Sequence, residues 1–245
     1  MIDKGTAYSR AALARLAVTS EAADAARGYL ALAADGDHSH HQPGDLVAAA
    51  HLLFEQARDI LRDAVVCERL AGTSWETIGE AHGEISKQAA HERYGPADAD
   101  FRRRALLAWL IPDRAHAYLG PLADPAQVLA LLSLRLQPPQ TGLRLAVHES
   151  EPVPPGYPAM TTTEQAGLIA EAANLLTKTG PHKGAELTPA EQRDAELGLA
   201  QRRVEMYEVL HAERPDDTDT ADMLTGARTR LATLEDADPA THHKP

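Results

Sequence analysis

Cysteine is nearly missing from this sequence: Cys67 is the one thiol in 245 residues. A lone thiol cannot close a disulfide within the chain. That excludes a disulfide-stapled scaffold and suits a reducing compartment. Aromatic residues are also scarce, at 4% of the chain, although hydrophobic residues reach 44%. Much of that apolar content is alanine, which favours helix and buries little area, so many helices with thin, close interfaces are expected. Long apolar runs are absent as well. None reaches the ~18 residues of a membrane-crossing helix, and no basic-then-apolar block opens the chain as a signal peptide would. A cytoplasmic protein with no membrane contact is the expectation. Positive charge is the last shortage, for the formal net charge is −12. More than half of it lies in residues 160–245, whose net is −7. Such a balance argues against tight non-specific binding of nucleic acid, but a local basic strip can still meet phosphate.

What is present is helical pattern. Residues 6–34 read as helix, with a break at Thr19-Ser20 where a cap could start a second segment. "DGDHSHHQPGD" (35–45) reads as a loop, and Asp45 as the cap of a helix over 46–70. In that helix Leu46, Ala50, Leu53, Phe54, Ala57, Ile60, Leu61, Ala64 and Val65 recur at three- and four-residue steps. Short helices over 74–82 and 86–94 follow, the second stopped by Gly95-Pro96, then helices over 98–110 and 124–136. The stretch 137–160 holds six prolines and reads as a linker, with "LRLAVH" alternating enough for a short strand. Beyond it, "TTTEQ" (161–165) offers caps and an acidic first turn for one helix, closed by Gly180-Pro181. Thr188-Pro189 opens a long helix to about 213, and a final helix spans 219–236. The expectation is an all-α fold. Its parts are an N-terminal helical segment (1–43), a helical domain over 44–136, a Pro-rich linker (137–160) and an acidic C-terminal module (161–245). In that module Leu197, Ala200, Val204 and Tyr207 step 3-4-3, as do Leu224, Ala227, Leu231 and Leu234. Such seams suit a helical hairpin or a short coiled coil, packed within the chain or against a second copy.

The stretch with most chemistry is "AGTSWETIGEAHGEISKQAAHERYG", residues 71–95. Ser74 suits the cap of a helix that faces Trp75, Ile78 and Ala81 inward. Gly79 lets the two helices approach closely, and Gly83 turns the chain. Ile85 plugs the small core and Ser86 caps a second helix, leaving N-terminal amides for a phosphate. Lys87, Gln88 and His91 then share an outward face, with Ala89 and Ala90 available for close packing. Glutamine pairs bidentately with adenine, and lysine reaches guanine or phosphate. Arg93, Arg102, Arg103 and Arg104 suit backbone contacts, and over 86–104 basic residues exceed acidic ones by two.

These residues resemble the helix-turn-helix of actinobacterial regulators and mobile-element proteins. Ser74, Trp75, Ile78, Gly79, Gly83, Ser86, Gln88, Ala89, Ala90, Arg93 and Gly95 carry the resemblance, which covers 25 of 245 residues. It implies sequence-specific reading of double-stranded DNA through Ser86 to Arg93. Two positions depart from the pattern. His82 stands where such a motif usually has Leu, and Glu84 and Ile85 occupy a turn where one residue is usual.

Elsewhere the residues offer less. "HSHH" (38–41) with Asp35 and Asp37 holds metal-type ligands without helical spacing, and is read as a solvated turn. His242 and His243 offer less still. Cys67 is read as a small core residue. No phosphate loop, nucleophile motif or triad is found, so neither catalysis nor a cofactor is expected. The leading expectation is a bacterial-type DNA-binding protein, homodimeric and acting by occupancy. A protein partner on its acidic C-terminal helices is the further expectation. The alternative is a protein-interaction adaptor whose helix-turn-helix is a packing element. An enzyme with a site hidden from sequence spacing stands third.

Overall fold

The computed structural model describes residues 8–34, 42–135, 160–177 and 187–236, and among them every regular element is a helix. The 38–41 histidines, the 143–148 strand segment, nearly all of the Pro-rich stretch, Gly180-Pro181 and the C-terminal histidines lie outside those residues. The fold class is all-α. No helix among the described residues is long and apolar enough to cross a membrane.

The chain forms two compact units. One draws on Met1–Arg103 and Gly120–Met160, the other on Arg104–Leu119 and Thr161–Pro245. This division differs from the expected one, which separated 1–43 and placed the boundary in the linker.

In the first unit, α1 (Arg10–Ala34) pairs with α2 (Asp45–Leu70). Gly28 abuts Leu53, Glu21 meets Asp59 and Asp63, and Arg15 acts on Cys67, so the two helices run antiparallel. Ser9 caps α1 by accepting from the Ala12 amide at 3.1 Å. The expected break at Thr19 does not occur. Its hydroxyl donates back to the Arg15 carbonyl at 2.9 Å, which satisfies it inside a continuous helix. Ala12, Leu16 and Ala23 of α1 close a core with Val128 and Leu132 of α6 (Pro125–Arg135).

Asp45 is the first residue of α2 and not its cap. Gly44 holds the cap position at φ 103°, and the Asp45 carboxylate accepts from the Gln42 amide instead. Only Leu53, Val65 and Val66 of α2 are buried. Much of the expected apolar stripe faces outward, with Phe54 59% and Leu61 39% exposed, beside Val47 at 74%. Alanine-rich α1 is too thin to cover a stripe that wide. Cys67 is half-buried, and burial pushes its thiol above the ordinary range.

The second unit begins inside α4 (Lys87–Leu110), one helix where two were expected. Pro96 removes a hydrogen bond and costs roughly 3 kcal/mol in a helix interior. Buried Ala90 and Tyr94 before it, and Phe101, Ala105 and Leu106 after it, hold the helix through the break. The end of α4 is bound to α8 (Pro189–Glu213) by backbone as much as by side chain. A Cβ on Gly198 would lie 1.9 Å from the Leu110 carbonyl oxygen. Arg202 donates through Nε and Nη2 to the Trp109 carbonyl, at 3.1 and 3.0 Å, and its guanidinium lies 5.3 Å from that indole. Farther along, Tyr118 of α5 (Ala115–Leu119) donates to Glu191, and Arg114 pairs with Asp194 at 3.1 Å. These contacts explain why 104–119 joins the C-terminal helices.

The caps of the C-terminal helices follow expectation. Thr161 and Glu164 form a capping box on α7 (Thr162–Leu176), and Thr188 and Glu191 form one on α8, with Pro189 in its first turn. The Thr188 amide and hydroxyl hold the Glu191 carboxyl below its usual range. α9 (Thr218–Asp236) packs along α8. Ala200, Val204 and Leu224 of the two seams are buried, and their other members are half-buried. Both seam helices thus pack on each other within the chain.

Candidate nucleic-acid interface

Three helices of the first unit build the region around residues 71–95. α2 ends at Leu70, and α3 (Trp75–Ala81) follows a turn at Gly72, whose φ is 95°. Ser74 caps α3 by accepting from the Thr77 amide at 3.1 Å. Val65 of α2, Ile78 of α3, and Ala90 and Tyr94 of α4 form a small buried cluster, with Trp75 and Ile85 at its margin. Ala81 and Ala89 are exposed, contrary to the inward and close-packing positions expected of them. Trp75 is half-buried: the Arg69 guanidinium lies 4.6 Å from its ring, and His91 meets it edge-on at 5.3 Å.

The connection from α3 to α4 carries the extra residue. Gly83 and Glu84 are both left-handed, at φ 86° and 65°, and Glu84 is exposed. The chain then returns against α3. The Ile85 amide donates to the Gly79 carbonyl at 3.1 Å, and a Cβ on Gly79 would sit 2.3 Å from the Ile85 oxygen. Gly79 therefore admits the turn rather than the second helix. The polar ring of His82 is accommodated by hydrogen bonds. Arg93 can only donate, so the His82 Nε2 that it meets at 3.2 Å is an acceptor, and the Tyr94 hydroxyl donates to the same nitrogen.

Ser86 accepts from the Ala89 amide at 3.2 Å and so caps α4. The amides of Lys87 and Gln88 fall in the first turn, where helices leave N–H groups without an internal acceptor. Ser86, Lys87, Gln88, His91 and Arg93 are all exposed within the first two turns. Gln88 donates to Glu92 at 2.9 Å, which orients its amide and also brings a carboxylate to this face. The His91 ring covers Gly95, whose added Cβ would meet it at 3.3 Å.

The three consecutive arginines sit differently. All are half-buried. Arg102 pairs with Asp98 at 2.9 Å and reaches the Arg69 carbonyl, and Arg104 donates to the Tyr118 carbonyl in the second unit. The fold therefore gathers residues 86–93 on one exposed face and gives Arg102 and Arg104 internal partners. Sequence reasoning did not anticipate Arg69, which braces Trp75 from the end of α2; its position beyond the apolar stripe carried no signal. No three metal-ligating side chains converge among the described residues. No protein-family model, curated protein or solved structure matches this chain.

Proposed function

We propose that this chain binds double-stranded DNA in a sequence-specific way and acts by occupancy, without chemistry, as a transcriptional regulator or mobile-element accessory factor. The observation that supports the reading is the start of α4. Its inner side, Ala90 and Tyr94, is packed on α2 and α3, while Ser86, Lys87, Gln88, His91 and Arg93 stay exposed over two turns. A helix held in this way can enter a major groove with its N-terminal residues at the base edges. Gln88, oriented by Glu92, reads a base edge. Lys87, Arg93 and the first-turn amides take phosphates. With Arg102 and Arg104 engaged internally, few phosphates are neutralised and salt dependence is shallow, about one log–log unit per contact.

Selection from a random duplex pool at low salt tests the reading. An enriched site is expected, on which Gln88→Ala costs about 1–3 kcal/mol and relaxes one base pair. Lys87→Ala should weaken all sequences alike and lower the salt slope by about one unit. If no duplex is enriched, DNA reading fails. Two-fold readers need a dimer, and a homodimer through the half-buried seam residues of α8 and α9 is part of this reading. One observation favours the second reading, a protein-interaction adaptor: the outward apolar row Val47, Phe54 and Leu61 on α2.

A further inference from the structure

Within the second unit, a cavity of about 240 Å³ lies among α7, α8 and α9. Its apolar lining is Leu176, Leu199, Ala200 and Leu234, with Ala173 beside them. Two cationic side chains complete it, Arg203 from α8 and Arg230 from α9. Their surroundings differ from those of other arginines in this unit. Arg114, Arg202 and Arg228 pair with Asp194, Glu205 and Glu208 at 3.1, 2.8 and 2.9 Å. Arg203 and Arg230 stand one and two residues from paired arginines, yet neither has a carboxylate within ion-pair distance among the described residues. The surplus of acid in this part of the chain makes two such cations at one cavity notable, since carboxylates are plentiful in sequence around them. Glu196 also lines the cavity, but its Oε1 already accepts from the Gln192 amide at 3.1 Å.

We infer that this cavity is a binding site for a small organic carboxylate with a compact apolar body. The guanidiniums of Arg203 and Arg230 take the carboxylate, which accepts paired N–H bonds from such forks. The leucine and alanine surface takes the body. The volume falls below the usual range for drug-sized ligands, which limits that body to a short chain or a single ring. The site lies wholly in the second unit and does not depend on DNA reading.

Calorimetric titration of the full chain with hexanoate and with benzoate tests this. At least one acid should bind saturably. Its uncharged counterpart, hexanol or benzyl alcohol, should bind at least about tenfold more weakly, as should the protein carrying Arg203→Gln or Arg230→Gln. Far-ultraviolet circular dichroism should show both variants as helical as the parent, Arg203 being half-buried and Arg230 exposed. Inorganic phosphate should not compete, because it has no apolar body. The inference is overturned if neither acid binds at millimolar concentration. It is equally overturned if the alcohols bind as well as the acids, or if both folded variants retain parental affinity.

Discussion

Gly79→Ala adds one methyl group at the closest approach in the first unit. The new Cβ would lie 2.3 Å from the carbonyl oxygen of Ile85 and 3.4 Å from its carbonyl carbon. Carbon and oxygen do not approach to less than 3.0 Å at such positions, so the gap must open. The obstacle is backbone and cannot rotate away. It is also tied to residue 79 itself, because the Ile85 amide donates to the Gly79 carbonyl at 3.1 Å. Opening the gap moves Ile85, which plugs the small cluster, and Ser86, which caps α4. Forcing a methyl into a packed site costs about 1–3 kcal/mol. Alanine recovers roughly 0.5–1 kcal/mol over glycine inside a helix. A net loss of up to about 2.5 kcal/mol follows, a fall of several degrees in Tm at the upper end. The two tryptophans allow a clean assay, since Trp75 lies in the first unit and Trp109 in the second. In a Trp109→Phe background, the emission of Trp75 reports unfolding of the first unit alone. Gly167→Ala is the contrasting case: it also lies mid-helix, in α7, but nothing stands within 4 Å of its added Cβ. That change should stabilise the second unit by up to about 1 kcal/mol, read by Trp109 in a Trp75→Phe background. If Gly79→Ala unfolds no earlier than the parent, the turn does not press on α3 as described and the reasoning is refuted.

Three further outcomes are expected. Glu84 holds φ 65°, a conformation that costs an L-residue about 1–2 kcal/mol. Glu84→Gly should therefore raise the stability of the first unit by roughly 0.5–1 kcal/mol in urea titrations, and a loss would mean the side chain makes a contact worth more than the strain. Glu21 is pushed up from 4.5 to about 7, first by burial and then by the neighbouring Asp63 carboxylate, with Arg62 opposing. The folded chain then binds this proton more tightly than the unfolded chain, so stability falls as pH rises between those values and the relief is complete only below the lower one. Glu21→Gln should flatten the pH dependence of the first unit's melting temperature across that window and stabilise it above pH 7; an unchanged profile would exclude Glu21 as its source. His82→Leu restores the residue usual in the motif but leaves the buried Tyr94 hydroxyl without its acceptor, at a cost of about 1–3 kcal/mol. Adding Tyr94→Phe should recover much of that loss, and a double-mutant cycle with no coupling would show that the two side chains do not interact.

The sequence by itself determined the class of fold, the helix starts at Ser74, Ser86, Thr161 and Thr188, and the turn at Gly83. These are local matters: a hydroxyl three residues before an amide, or a glycine free to take positive φ, acts over one turn of chain whatever surrounds it. The exposure of Lys87, Gln88 and His91 was legible for the same reason, since helical spacing alone sets them apart from Ala90 and Tyr94. What depended on distant partners was not legible. Pro96 reads as a stop, yet α4 runs through it because Tyr94 and Phe101 on either side are buried. Arg102 and Arg104 read as free for phosphate, yet Asp98 and the Tyr118 carbonyl hold them. The α2 stripe reads as core along its length, yet only tertiary structure shows that alanine-rich α1 covers part of it. Whether a side chain is core, partner or surface depends on what lies across from it, and that is settled by packing between segments far apart in the chain.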